Sequence, residues 1–416
     1  MSKLVTRTLA CGMPLIVEVI DDVRSAAITW LVPGGCAYDP APLQGRAALW
    51  SELLLRGSGA LNSRQFADSM DRLGVSRGVA VGAYFMQIGA TLLGERVSAA
   101  LPLIVDIVRR PHLSADAVEP ARDLALQALE SLQDDPQERA VLSARDRHFF
   151  SPLNRSGLGT EDGLAALTHD ALVSGWSEVA RPGRSIFAAA GAVDPDALAR
   201  QLDELLSGWE GTTSEPAVSS VAPRGYAHET DETNQVQIVL VHDAPKETDD
   251  RSWLEKIVVS VLSGGMSGRL FTEVREKRGL CYSVSAGYRG DRDFGGVTAY
   301  VGTTPERAQE SLDVLAAELL RINAASTSGG GVTTEEFQRA VIGMKSRLIF
   351  SGESTGARAA AIASDFFRFG YARSLGDLAA KIDAVTLSQV NEYLEGRKLG
   401  RVTIQTLGPS VLVPPM

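Results

Sequence analysis

Cysteine is scarce in this sequence: Cys11, Cys36 and Cys281 are the only three in 416 residues, far apart and without a C-x-x-C pair. An odd, dispersed set excludes a disulfide framework and leaves each thiol as a small packed side chain. Long apolar runs are missing as well. The first residues mix Lys3, Arg7 and Pro14 with short apolar runs, so neither a signal peptide nor a spanning helix is expected there. Thr8-Leu9-Ala10-Cys11 lacks the apolar region that precedes a lipoprotein cleavage site. A cytoplasmic, reducing location without membrane contact is the expectation. Cationic excess is absent too, and a formal net charge of -10 argues against nucleic-acid phosphate as a partner.

Metal-ligand spacing is a further absence. His112, His148, His169, His228 and His242 show no H-x-x-H or H-x-x-x-H spacing and no nearby cysteine, so each reads as a surface or helix-start residue. The glycines after Ser263 lead to no G-x-x-x-x-G-K-[ST], which excludes a phosphate loop.

What is present suffices for a large core: 416 residues with 44% apolar content favour two or more domains. The order of elements repeats at about half the length. Ala90 to Arg96 reads as a strand turning into a helix that ends near Arg109, and Ala299 to Arg307 leads likewise into one ending near Arg321. Leu113 to Asp116 opens a long helix, as does Val332 to Glu336 with a capping box of Thr333 and Glu336. Thr168 and Thr386 each start a helix leading to a strand, Ser185 to Gly191 and Arg401 to Gly408. A duplicated α+β unit follows, with domains 1–220 and 221–416 joined by the linker Gly211 to Pro223. Residues 326–331 read as a flexible loop within the second half.

Three segments carry the chemistry. Gly45 to Ser58 reads G-R-A-A-L-W-S-E-L-L-L-R-G-S, with Leu49, Trp50, Leu53 and Leu54 at helical spacing and Gly57 as a stop. It follows a strand, Ala27 to Val32, and the turn Pro33-Gly34-Gly35. Ala121 to Pro136 reads A-R-D-L-A-L-Q-A-L-E-S-L-Q-D-D-P. Ser263 onward reads S-G-G-M-S-G-R-L-F-T-E-V-R-E-K-R-G-L-C-Y-S-V-S-A-G-Y: Leu270, Phe271 and Val274 form a helical stripe, Gly279 a cap, and Tyr282, Val284, Ala286 and Tyr288 a strand alternation. On composition alone Arg275 complements a helix dipole together with Lys277 and Arg278, and Tyr282 is a strand aromatic.

The first segment resembles the zinc helix of the pitrilysin and mitochondrial processing peptidase family, G-L-A-H-F-L-E-H-M-L-F-K-G-T, coinciding at Gly45, Ala47, Leu54 and Gly57. The second resembles E-R-x-V-x-x-x-E-I followed by D-D-P. The third resembles G-G-G-M-S-S-R-L-F-x-E-V-R-E-K-R-G-L-A-Y-S most closely. In the family, H-x-x-E-H sets two imidazoles on one helical face beside a carboxylate that activates water. Here those positions hold Ala48, Ser51 and Glu52, and the later glutamate ligand is replaced by Ala128. Glu130, two positions on, faces well round the helix at about 100° per residue. The resemblance therefore implies no metal ligand and no cofactor in this chain.

It also implies that Arg275 and Tyr282 match the family's arginine and tyrosine that reach toward the substrate carbonyl, where a phenol donates to a developing oxyanion and a guanidinium supports charge. The implied architecture is α+β, two homologous α/β-sandwich domains, each a mixed, largely antiparallel sheet packed against helices. The implied role is the non-catalytic subunit of a heterodimeric peptidase whose homologous partner subunit holds the zinc and which binds peptide or unfolded polypeptide. The alternatives are a scaffold, like the family's respiratory-complex core subunits, or a homodimer that binds peptides without cutting them. The glycine loop at Ser263 is shorter than in the processing peptidase's non-catalytic subunit.

Overall fold

Continuous apolar runs become the inner strands of two separate sheets in the computed structural model, which describes residues 3–219, 221–324 and 329–415. The first half supplies β1 (Lys3–Thr8), β2 (Pro14–Val19), β3 (Ser25–Pro33), β4 (Gly57–Ser58), β5 (Leu61–Asn62), β6 (Ser76–Val81), β7 (Phe85–Leu93) and β8 (Ile186–Gly191). Its helices are α1 (Arg46–Leu53), α2 (Ser63–Arg72), α3 (Val97–Arg109), α4 (Val118–Ser131), α5 (Pro136–His148), α6 (Glu161–Ala166), α7 (His169–Val179) and α8 (Pro195–Leu205). The second half supplies β9 (Gly225–Thr230), β10 (Val236–Asp243), β11 (Cys281–Gly290), β12 (Gly295–Thr303) and β13 (Thr403–Gly408). Its helices are α9 (Arg251–Ser263), α10 (Ala308–Arg321), α11 (Thr334–Gly352), α12 (Thr355–Phe369), α13 (Leu375–Asp383) and α14 (Leu387–Gly396).

The strand orders expose the duplication. One sheet runs β1-β2-β8-β3-β7-β6 and the other β11-β12-β10-β13-β9. Reading the second backwards aligns β9 with β2, β13 with β8, β10 with β3, β12 with β7 and β11 with β6. The pair next to one edge is parallel in both, β2 with β8 and β9 with β13, and the remaining pairs are antiparallel. The fold is thus the duplicated α+β arrangement with mixed, largely antiparallel sheets.

Each compact unit borrows one helix from the other half of the chain. The first unit contains residues up to Ser131, Ser151–Ser219 and Ser351–Ser374; the second contains Leu132–Phe150, the residues from 221 to Phe350, and those from Leu375 on. Within the first unit α12 packs on β2, β3 and β8, and within the second α5 packs on β10 and β13. Covering both faces of a sheet explains why β3 and β8 read as nearly unbroken apolar runs rather than alternating ones. The alanines of β8 let the backbone of α12 come close, with Ala27, Ala190 and Ala359 forming one small cluster. In the second unit Ala140 and Ala144 of α5 play the same part against Val239, Val241 and Leu407.

The helix starts agree with their caps. Thr168 accepts from the Ala171 N–H, Thr386 and Gln389 form a capping box, and Thr333 and Glu336 bond reciprocally at 2.9 and 3.3 Å. Residues 326–328 of the expected flexible loop lie outside the described residues. Among the described residues no helix is long and apolar enough to cross a membrane.

Candidate functional site

Helix α1 is held by packing and by its N-terminus. Leu49, Trp50, Leu53 and Leu54 are fully buried, each such side chain contributing about 1.5–3 kcal/mol of hydrophobic stabilisation. The helix ends at Leu53, short of Gly57, because the chain must already turn to pair Gly57 with Asn62 in the β4–β5 hairpin. Gly57 sits at φ +107°, and a Cβ there would lie 2.9 Å from the His112 ring. At the other end the buried Asp39 carboxylate accepts from the Gly45 and Ala47 N–H groups at 2.9 and 3.2 Å. Burial pushes its pKa up to about 6 against those bonds and the Arg46 charge. Arg46 in turn stacks over Trp50, 4.7 Å from the ring centre. The helix is therefore stable with no metal to hold it.

The face that would bind zinc does not suit it. Ala48 and Ala128 offer only methyl groups, and the Ser51 hydroxyl donates to the Ala48 carbonyl at 2.7 Å. Glu52 is exposed and pairs loosely with Arg56 at 3.8 Å. Helices α1 and α4 pack together, so the scaffold that would bring these positions near one another is intact while the donor set is not. Among the described residues no group of three or more His, Cys, Asp or Glu side chains is placed to hold a metal ion.

The segment carrying Arg275 and Tyr282 lies in the second unit and is anchored from beneath. Leu270, Val274, Leu280 and Cys281 are buried in that unit's core. Arg269 donates to both oxygens of Glu336 at 2.6 and 2.7 Å and to the Gly331 carbonyl at 2.6 Å, which ties the segment to the start of α11. Phe271–Glu276 winds as a π-helical turn instead of the expected α-helix, with the Lys277 N–H reaching back to the Thr272 carbonyl at 3.0 Å. Gly279 closes it at φ +61°, its N–H bonded to the Arg275 carbonyl.

The three cations at the end of this turn differ. Glu273 takes both Lys277, at 2.7 Å, and Arg278, at 2.9 Å. Arg275 is exposed, lies 4.9 Å over the Phe271 ring, and pairs with no acidic side chain among the described residues.

Tyr282 is displaced from the alternation expected of it. In the edge strand β11, Cys281 opposes Thr303 and Ser283 opposes Gly302, so Tyr282 is an extra residue in a β-bulge. The inward set is Cys281, Val284, Ala286 and Tyr288, while Tyr282 is 77% exposed and its hydroxyl bonds to no described residue. The bulge re-aims one side chain that a regular strand would have packed.

The histidines also depart from expectation. His148 and His242 are fully buried rather than on the surface. The His242 Nδ1–H donates to the Asp243 carbonyl at 2.8 Å, which leaves Nε2 to accept from Arg397 at 3.2 Å. Burial, then the Arg397 charge, hold its pKa down to about 4, so the ring is neutral and structural. None of the three cysteines forms a disulfide, and Cys36 and Cys281 are buried. Asp39, Arg46 and the pair Arg269–Glu336 were not singled out for the site by sequence; the only available signal was an Asp-Pro before the helix and the capping box.

Known proteins share this fold and pattern. The family model described as Insulinase (Peptidase family M16) matches residues 16–161, and that described as Peptidase M16 inactive domain matches residues 166–344. An uncharacterized zinc protease of Streptomyces coelicolor is 27% identical over 414 residues, covering 97% of this chain and 89% of its own. One from Mycobacterium tuberculosis is 27% identical over 410 residues, covering 97% and 92%. The crystal structure of a peptidase M16 inactive domain from Pseudomonas fluorescens superposes with TM-score 0.87 at 20% identity, covering 99% of this chain and all of that one. A chain of complex III2 from Candida albicans does so with TM-score 0.83 at 18% identity, covering 98% and 96%. At these identities the structural likeness speaks for the fold alone.

Proposed function

The chain belongs to the M16 peptidase family, and we propose that within it this protein is the non-catalytic subunit of a heterodimeric zinc peptidase. It binds peptide and presents Arg275 and Tyr282 to a site whose zinc is held by a homologous partner subunit. The observation that carries this reading is the bulge at Tyr282. An exposed phenol and a guanidinium with no acidic partner among the described residues project from a segment anchored by Leu270, Val274, Leu280 and Cys281, in a chain with Ala48, Ser51, Glu52 and Ala128 at the family's metal positions.

Their chemistry fits the role. The phenol O–H can donate to the oxygen of a carbonyl as negative charge develops there, and the guanidinium can hold that carbonyl or the next one along the peptide. Neither group needs to change protonation state. No step of metal chemistry is assigned to this chain.

The test is reconstitution. The chain alone should leave a fluorogenic peptide library uncut, and mixing with a homologous subunit that carries an intact H-x-x-E-H should restore cleavage. One tightly bound zinc per isolated chain, with cleavage abolished by a chelator, would sink the proposal. A scaffold role is the second reading, favoured by Ala48, Ser51, Glu52 and Ala128 at the positions where the family has its metal site. Cleavage that is unaffected by changes at both Arg275 and Tyr282 would favour it, and mass measurement with and without a partner separates a peptide-binding homodimer from both.

A further inference from the structure

In the second unit the outer side of α9 is not fully covered. Between it, the half-buried face of β11, α11 and α13 lies an open groove of about 450 Å³. That size falls within the roughly 300–1,000 Å³ of small-ligand sites. Trp253 and Ser260 of α9, Met344 and Arg347 of α11, and Leu378 and Ile382 of α13 stand in its wall.

Two cations reach this groove and they are in different states. The Lys256 ammonium is 2.6 Å from the Glu247 carboxylate and lies 4.4 Å from the Trp253 ring centre. Arg347 has no acidic partner among the described residues, and its guanidinium donates only to the Ser260 hydroxyl at 3.4 Å. Two acids of the neighbouring elements are occupied, Asp383 by Lys345 and Asp250 by Lys381 at 3.2 Å. Arg347 thus brings to the mouth of the groove a guanidinium whose charge no described carboxylate neutralises.

Apolar walls with one unmatched guanidinium select an apolar carboxylate. A fatty acid would be best served by an enclosed apolar tunnel, whereas this groove is open and carries the Ser260 and Ser263 hydroxyls, which suit a peptide amide. We propose that the groove binds the C-terminal residue of a peptide, with its apolar side chain against Trp253, Met344, Leu378 and Ile382 and its free carboxylate on Arg347. The inference rests on the peptide-binding reading above and names a specificity for it, since β11, which carries Tyr282, also forms one wall through Ala286 and Tyr288.

Tryptophan emission reports on this groove. Trp30, Trp50, Trp176 and Trp209 are buried in the first unit, and Trp253 is the remaining one of five. The isolated chain would be titrated with an acetylated tripeptide ending in leucine as free acid, with its C-terminal amide, and with decanoate. The free acid should shift the emission, the amide should bind at least tenfold more weakly, and the shift should vanish in Trp253→Phe. Arg347→Gln, at an exposed helical position, should remove the preference for the acid, and Arg347→Lys should keep part of it. Equal binding of acid and amide, no shift with either, or tighter binding of decanoate than of the acid peptide would each overturn the proposal. No partner subunit takes part, so a failed reconstitution leaves this result standing, and failed binding leaves any rate effect of Tyr282 standing.

Discussion

Cys281 and Val284 point to the same face of β11 although they are three positions apart, because Tyr282 bulges out of the ladder between them. A strand of strict period two would have kept Tyr282 on the same face as Val284 and turned Cys281 to the other. The bulge therefore determines which chemistry the second unit displays.

Tyr282→Phe follows directly. The hydroxyl hydrogen-bonds to no described residue, so the unfolding free energy of the isolated chain should be unchanged within the scatter of surface substitutions, about 0.5 kcal/mol. The kcat of the reconstituted pair should fall by about a hundredfold, as with other oxyanion donors. An unchanged kcat would reduce Tyr282 to a surface aromatic.

Restoring the ligands is the complementary experiment. Because α1 and α4 already pack together, Ala48→His, Ser51→Glu, Glu52→His and Ala128→Glu combined should give a chain that retains one zinc after dialysis, while the parent retains none. Elemental analysis of both proteins decides it. A variant that folds yet holds no zinc would show that the helix pair has lost its geometry as well as its donors.

The ion pair between Glu18 and Arg358 should be a stability determinant of the first unit. Both are essentially fully buried and meet at 2.7 Å, with Arg358 also donating to the Arg373 carbonyl. Arg358→Met alone leaves the Glu18 charge uncompensated and should cost about 3–5 kcal/mol in urea unfolding. Glu18→Leu combined with Arg358→Met should recover most of that, since desolvating the pair offsets much of its attraction. Additive losses in the double variant would contradict this.

His242 should give the protein an acid-sensitive component. Its folded pKa, held down to about 4, lies below the ordinary 6.5, so between those values the unfolded chain binds the extra proton and stability is lost as pH falls. Asp39, raised to about 6, acts in the opposite direction, losing stability as pH rises between its ordinary 3.8 and that value. Comparison with His242→Gln isolates the histidine: the variant's stability deficit at pH 7 should shrink by up to about 1.4 kcal/mol per pH unit below 6.5. A deficit constant from pH 7 to pH 5 would rule the histidine out.

Much of the fold could be read locally. Apolar spacing placed β3, α1 and the strand-to-helix turns at Arg96 and Arg307, and short-range capping placed α7, α11 and α14, because each depends on residues within one or two turns of each other. Expecting Gly57 to end α1 and Tyr282 to alternate failed for one reason. Local pattern points to both, and both are decided by a partner strand, β5 in one case and β12 in the other. The spacing of His148 and His242 says nothing of the elements that close over them and bury both.

By itself the sequence determined the duplicated order of elements and the absence of H-x-x-E-H from the helix of Ala48, Ser51 and Glu52, since these are matters of residue type and spacing. Tertiary structure alone decided that α5 and α12 each cover the other half's sheet, that Glu18 meets Arg358 across 340 positions, and that Arg347 has no carboxylate partner among the described residues beside an apolar groove. Burial and pairing are set by which surfaces meet. No short-range pattern encodes that.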